Sequence, residues 1–334
     1  MGQVRRNSVQ PPPPRTAAAG KALACRAMST PTGPESGLPV RMPRPRPSGR
    51  HRRPEPLAAP EGAPALVLAV PGTPSAATHS LAGEILSIAR SELPGLDAQI
   101  GFVEGDDAEY PALSSVLARS AVEHAAKAAA GAGEGGQAMD PEGPVAVVVP
   151  LLAGPDNALI RQIRQAVMDS RVTAELTDVL GPHPLLAEGL HVRLSEAGLA
   201  RADRARLFTV ATAADGIVLA TVGGDEAVQA AGITGMLLAA RLAVPVLAAA
   251  LDVDGSIANA AEQLRGSGSA QLALAPHLVG PEVAEGLLEA AAAEADCSAA
   301  DALGAYPAIG RLVVSQYAAV LGLTLPSAQG QPVR

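Results

Sequence analysis

Carboxylates and imidazoles that directly follow aliphatic runs are the side chains in this sequence best placed to hold a divalent cation or move a proton. Glu104 closes Gly101-Phe-Val-Glu104, and Asp156 closes Leu151-Leu-Ala-Gly154-Pro155-Asp156. Further along, Asp252 follows Ala248-Ala-Ala-Leu251, His277 follows Pro276, and Glu282 follows Gly280-Pro281. His79 lies eight residues after Pro71, and His183 stands between Pro182 and Pro184. Imidazole suits borderline ions and exchanges protons near neutrality; a carboxylate accepts a proton or binds harder cations. Each residue also has a plainer reading. Glu104 and Asp252 can cap the loop that follows a strand, and His79 and His277 can be surface or hydrogen-bonded structural histidines. The flanking prolines give His183 a structural role, and His124 and His191 fall on helix surfaces without signal.

The elements that must position these residues repeat along the chain. Val147-Val-Val-Pro150-Leu-Leu-Ala-Gly154 recurs as Ala273-Leu-Ala-Pro276-His-Leu-Val-Gly280, and Asp178-Val-Leu-Gly181-Pro-His-Pro184 recurs as Asp301-Ala-Leu-Gly304-Ala-Tyr-Pro307. Short aliphatic runs alternate with helical periodicity from Ala65 onward, the pattern of βα units and a parallel sheet. It predicts strands at about 65–70, 98–103, 144–150 and 172–178, then at about 216–222, 244–251, 270–275 and 297–302. Helices are expected at about 76–91, 111–128, 157–168 and 184–197, then 226–241, 256–265, 281–293 and 307–321. The expected fold class is therefore α/β, two tandem domains, each a four-stranded mainly parallel sheet with helices on both faces. Residues 64–198 and 215–323 form the two domains, joined by a linker at 199–214, with a Pro/Arg-rich tail at 1–63 and a short tail at 324–334. Gly131–Gly136 reads as a surface insertion, and Met28 as an alternative initiator.

Composition narrows the partners. Residues 1–60 hold eleven Lys/Arg and two Asp/Glu, leaving fourteen basic and thirty-one acidic residues elsewhere, a formal charge of −17. That balance argues against nucleic acid or an anionic membrane as the partner of the folded part. It tolerates metal cations and disfavours a polyanionic ligand unless basic residues line its site. Two cysteines, Cys25 and Cys297, exclude a disulfide framework and a Cys-based zinc site. No run of 18 apolar residues predicts a membrane span, and the cytoplasm is the expected location. Five aromatic residues leave the cores to Ala, Val and Leu. There is no phosphate-binding Gly-x-x-x-x-Gly-Lys-Ser/Thr loop and no Gly-x-Ser-x-Gly elbow.

The succession Leu66-Val-Leu-Ala-Val-Pro71-Gly72-Thr73, Gly101-Phe-Val-Glu104, Val148-Val-Pro150-Leu-Leu152 and Leu180-Gly-Pro-His-Pro-Leu-Leu186 resembles the sirohydrochlorin chelatases. These small class II enzymes insert cobalt, iron or nickel into a tetrapyrrole. The resemblance covers roughly residues 64–323 as two copies, weaker in the second. It implies a cleft at the strand carboxyl ends, with Gly72, Thr73, Gly154 and His183 against the substrate. The family's two histidines fall on Pro71 and Asp156, and in the second copy on Val222 and Glu282. Proline and valine neither bind a metal nor accept a proton, so metal insertion would rest on Glu104 and Asp156 as catalytic groups. Glu104, Asp156 and His79 would be the metal ligands, with Asp252, His277 and Glu282 as their second-copy counterparts. The implied reactants are a tetrapyrrole and a divalent metal (Co, Fe or Ni) as substrate, with no organic cofactor. A monomer with pseudo-dimeric domains or a homodimer fits the repeat. Two further readings stand beside the enzyme: a tetrapyrrole or metal carrier or regulator without turnover, and a structural or interaction protein that kept only the fold.

Overall fold

Two four-stranded parallel sheets stand back to back in the computed structural model, with a layer of helices between them. The structure describes residues 58–131, 143–200 and 213–325, apart from residues 281, 283 and 285. Most of the basic tail, most of the Gly131–Gly136 insertion, most of the 199–214 linker and nearly all of the short C-terminal tail lie outside these residues.

The first repeat runs β1 (Ala65–Val70), α1 (Ala76–Glu92), β2 (Ala98–Phe102), α2 (Leu113–Gly131), β3 (Ala146–Pro150), α3 (Asn157–Ser170), β4 (Ala174–Leu176) and α4 (Pro184–Glu196). The second runs β5 (Gly216–Thr221), α5 (Gly224–Leu242), β6 (Val246–Ala250), α6 (Ser256–Gly266), β7 (Leu272–Pro276), α7 (Leu287–Glu294), β8 (Ser298–Ala299) and α8 (Pro307–Val320). Strand orders are β2-β1-β3-β4 and β6-β5-β7-β8, parallel throughout. Matching registers, Val67 on Val148 and Val218 on Leu274, confirm the internal repeat. The order reverses between β1 and β3, and between β5 and β7. Beyond the carboxyl ends of such strand pairs lies the crevice where parallel sheets take ligands.

Alternation sorts the side chains of the central strands. Leu66, Leu68, Val147 and Val149 point inward with Ile217 and Leu219 into one shared core, while Val67 and Val148 face α2 and α3. Val218 and Ala220 face α6 and α7 on the far side of the second sheet. The inner layer holds α1, α4, α5 and α8, and it is built by exchange. The last helix of the second repeat, α8, packs on α1 and reaches β3, while α4 of the first packs on α5 and reaches β7. Tyr317 donates from its hydroxyl to the Pro64 carbonyl at 2.8 Å, and Gln316 donates to Val179 O at 3.1 Å. In the other direction, the Arg193 guanidinium donates to Leu303 O at 2.8 and 3.1 Å. Ile309, Leu312, Val313 and Val314 are at most 2% exposed; burying side chains of this size stabilises by ~1.5–3 kcal/mol each.

Three local features differ from the sequence pattern. β4 and β8 are shorter than the aliphatic runs that mark them, three and two residues. Helix α7 begins at Leu287, not near 281. Its expected first turn is taken by Glu282, whose carboxylate accepts from Val279 N at 2.9 Å and Gly280 N at 2.6 Å, and Gly286 enters the helix at φ 83°. Finally, His191 is buried rather than on a helix surface, and its Nδ1 accepts from Arg241 Nε at 3.0 Å across the α4–α5 contact.

Candidate functional site

The carboxyl ends of the two sheets meet. The turn after β3 (Ala153–Asn157) lies against the turn after β5, so closely that a Cβ on Gly223 would stand 2.5 Å from the Pro155 carbonyl oxygen. Gly223 has φ 114°, a backbone geometry that glycine alone adopts at low cost. Asn157 Nδ2 donates to Glu226 Oε2 at 2.7 Å across the same seam. On the other side, Leu81 of α1 packs beside Gly280. The turns after β3, β5 and β7 thus meet along one seam between the copies.

Within the first copy, Thr73 Oγ1 donates to Glu104 Oε2 at 3.4 Å, a long bond between exposed groups. Gly72 turns the chain at φ 75°, and Pro71, on the family's first histidine position, is buried. Exposed His79 stacks on Phe102 with centroids 6.2 Å apart and tilts toward Tyr110 at 6.4 Å. Phe102 meets Tyr110 edge-on at 5.4 Å. In this trio Phe102 is fully buried, His79 and Tyr110 reach the surface, and exposed Glu104 follows two residues beyond Phe102. Asp156 has a different task. It is the N-cap of α3, its Oδ1 accepting from Ala158 N at 2.8 Å and Leu159 N at 3.0 Å. His183 likewise caps α4, with Nδ1 accepting from Leu185 N at 3.1 Å ahead of Pro184 at the first helical position. Burial holds the His183 pKa below the ordinary imidazole value.

In the second copy, Asp252 accepts from Gly223 N at 3.2 Å and Gly224 N at 3.4 Å, holding the β5–α5 turn. Glu282 accepts from Val279 and Gly280 of its own loop and from the Ala153 backbone of the first copy. Burial raises its pKa despite these bonds. His277 is 1% exposed, and neither ring nitrogen has a hydrogen-bond partner among the described residues. Loss of water pushes its pKa down to about 4. A Cβ on Gly154 would lie 3.6 Å from this ring, so the second copy's imidazole faces the first copy's turn.

The structure therefore brings Gly154 to His277, Asp156 to Gly223, and Thr73 to Glu104. It gathers no group of three or more His, Cys, Asp or Glu able to hold a metal among the described residues. Asp156, Asp252 and Glu282 are engaged by backbone N–H groups, which leaves Glu104 as the strand-end carboxylate without such a bond among the described residues. The residues to which sequence reasoning gave no role between the repeats are Leu81, Gly223 and the His191–Arg241 pair. Gly223 carried a visible signal, a Gly-Gly step between strand and helix; the others are defined only by packing across the repeats.

The fold, two parallel four-stranded sheets in tandem with helices on both faces of each, is that of the sirohydrochlorin chelatases. The chain is similar to the sirohydrochlorin chelatase SirB from Bacillus subtilis subspecies spizizenii in complex with cobalt, at 13% identity and a TM-score of 0.50, covering 77% of this chain and 95% of that one. A second similar structure is CbiX, the terminal enzyme for siroheme biosynthesis in denitrifying bacteria, at 14% identity and a TM-score of 0.45, covering 76% and 98%. No family model matches the sequence, and no curated protein matches it. Among the described residues, no helix is long and apolar enough to cross a membrane.

Proposed function

We propose that this is a sirohydrochlorin chelatase-like, tetrapyrrole-binding protein of the cytoplasm that has lost most of the metal-inserting chemistry of its fold. The observation that carries this reading is the engagement of the strand-end carboxylates. Metal insertion needs groups that strip water from the ion and accept the two pyrrole protons it displaces. Asp156, Asp252 and Glu282 instead hold helix and loop N–H groups, which ties these side chains to the backbone and fixes the direction they face. The rings of His79 and Tyr110, which reach the surface over the buried Phe102, suit contact with a flat macrocycle. The likeness to a cobalt-bound chelatase supports the choice of ligand class.

A second reading, retained insertion of Co, Fe or Ni as substrate, is favoured by Glu104 and His79. Both are exposed, and neither caps a helix or a loop. In that case Glu104 takes the pyrrole protons and His79 receives the ion.

The test is the full-length protein with sirohydrochlorin, with and without Co(II), followed anaerobically by absorption. The expected result is a saturable spectral shift on binding, with metallation no faster than in a protein-free control. Metallation faster than the control, lost in Glu104→Gln, establishes the second reading. No spectral change with either addition removes the tetrapyrrole and leaves an interaction protein.

A further inference from the structure

Helix α5 carries an apolar outer face that its twin in the first repeat does not. The buried positions of α1 (Ala82, Ile85, Leu86, Ala89) and α5 (Ala231, Thr234, Gly235, Leu238) share one spacing, which aligns the two helices residue by residue. On α1 the outward positions are Ser80, Glu84, Ser87 and Ser91, all exposed. Their counterparts on α5 are Gln229, Ile233, Met236 and Ala240, with Leu237 beside them. Ile233 is 46%, Met236 66% and Leu237 38% exposed, so three of the six large apolar side chains left exposed among the described residues lie together on this helix. The other three, Val122, Met168 and Val253, are spread over different elements. From Ala227 to Ala240 the helix has no charged residue. Contiguous apolar patches of this kind on a soluble protein mark interaction sites.

We infer that the outer face of α5 is where a second copy of this chain docks, helix against antiparallel helix about a twofold axis at Ile233. Two features select that occupant. The helix spans Gly224–Leu242, so Ile233 is its midpoint, and its charges sit at the ends in opposite sign: Asp225 and Glu226 in the first turn, Arg241 in the last. An antiparallel copy sets each acidic end beside a basic end and opposes the two helix dipoles, whereas a parallel copy sets like ends together. The uncharged middle offers an acidic or basic partner nothing to pair with.

The experiment copies the first repeat onto the second. Full-length protein is expected to sediment at twice its 33.4 kDa, and the double variant Ile233→Glu, Met236→Ser, which restores the residues of α1, at the single mass. Its far-UV spectrum should match that of the parent, and its melting should lose the dependence on protein concentration that a dimeric parent shows. Separately, Ile233→Cys under air oxidation should yield a 233–233 disulfide-linked dimer identified by peptide mass, which distinguishes it from links through Cys25 or Cys297. A monomeric parent overturns the inference, and so does a dimer that survives the double variant. A dimer that never forms the 233–233 link overturns the antiparallel axis. If the double variant misfolds, the Ile233→Cys link decides alone.

Discussion

At one backbone position the two repeats answer differently. Leu151 and His277 each follow the proline that ends a third strand, and each donates its N–H to the neighbouring strand, to Ala69 O at 2.9 Å and Ala220 O at 2.7 Å. Leu151 is fully buried and belongs to the shared core. His277 is just as buried, yet its ring nitrogens meet no partner among the described residues. One site is solved by packing, and the other carries the desolvation cost of a polar ring. The same divergence recurs at the second-strand ends, where Glu104 is exposed with a long hydroxyl bond while Asp252 ties down the Gly223–Gly224 turn. The second repeat has turned its chemistry-bearing positions to structural use more fully than the first.

Where the two repeats behave alike, the largest effects are expected. Leu190→Ala in α4 and Leu312→Ala in α8 each remove contacts to the shared core, and each should cost ~2–5 kcal/mol in urea unfolding. Both should move a single transition seen alike by far-UV circular dichroism and by hydrodynamic radius; two separated transitions would make the repeats independent.

His277→Leu, which makes the second repeat like the first, should flatten the acid limb of the stability curve. A histidine whose pKa falls from 6.5 unfolded to about 4 folded is neutral in the native state, so between these values the unfolded chain binds more protons. Stability therefore drops as pH falls from about 6.5 to about 4, by roughly 3 kcal/mol at about 1.4 kcal/mol per unit, and the Leu variant should lose this component. Equal acid limbs in the two proteins would mean that water reaches the ring.

Smaller effects sharpen the contrast between carboxylates. Asp156→Ala should cost about 1 kcal/mol through the lost cap of α3, and Asp156→Asn close to nothing. Glu104→Gln should change stability by less than about 0.5 kcal/mol, as for exposed residues without special roles, while weakening any tetrapyrrole response. Asp252→Asn, by contrast, should cost more than Glu104→Gln, because it loosens two backbone N–H groups. Reversed ranks in thermal melts would undo the assignment of structural and exposed carboxylates.

Much of the architecture was legible in the residues. The strands Ala65–Val70, all aliphatic, and Gly216–Thr221, aliphatic over Ile217–Ala220, are central and fully buried, as their composition implies. The repeat placed the turns after β3 and β7 in register. Asp156 and His183 stand immediately before helical runs, where a capping role is visible once the helix start is known. The exchange of α4 and α8 was not legible. Both helices bury residues on more than one face, so periodicity marks them as interior without saying whose interior. His191 is the clearest instance: a histidine on a helix reads as surface until Arg241 of the other repeat is found against it. The α5 face was hidden by the opposite ambiguity, since Ile233-Thr-Gly-Met-Leu-Leu-Ala-Ala240 has the composition of a buried segment. The neighbouring α4 and β6 cover one side of it and leave Ile233, Met236 and Leu237 outside.

The exchanged helices also fix when this protein can exist. The inner face of the first sheet is closed by α8, which is synthesised after α1–α7, with Tyr317 latching on the carbonyl of Pro64 at the start of the first strand. At roughly 5–20 residues per second, the first sheet waits on the order of ten seconds or more after its third strand is made. During synthesis neither half has its full set of walls. A nascent chain that stops before α8 leaves Leu66, Leu68 and Val149 without part of their cover, so the first repeat cannot close its core until the second has been made.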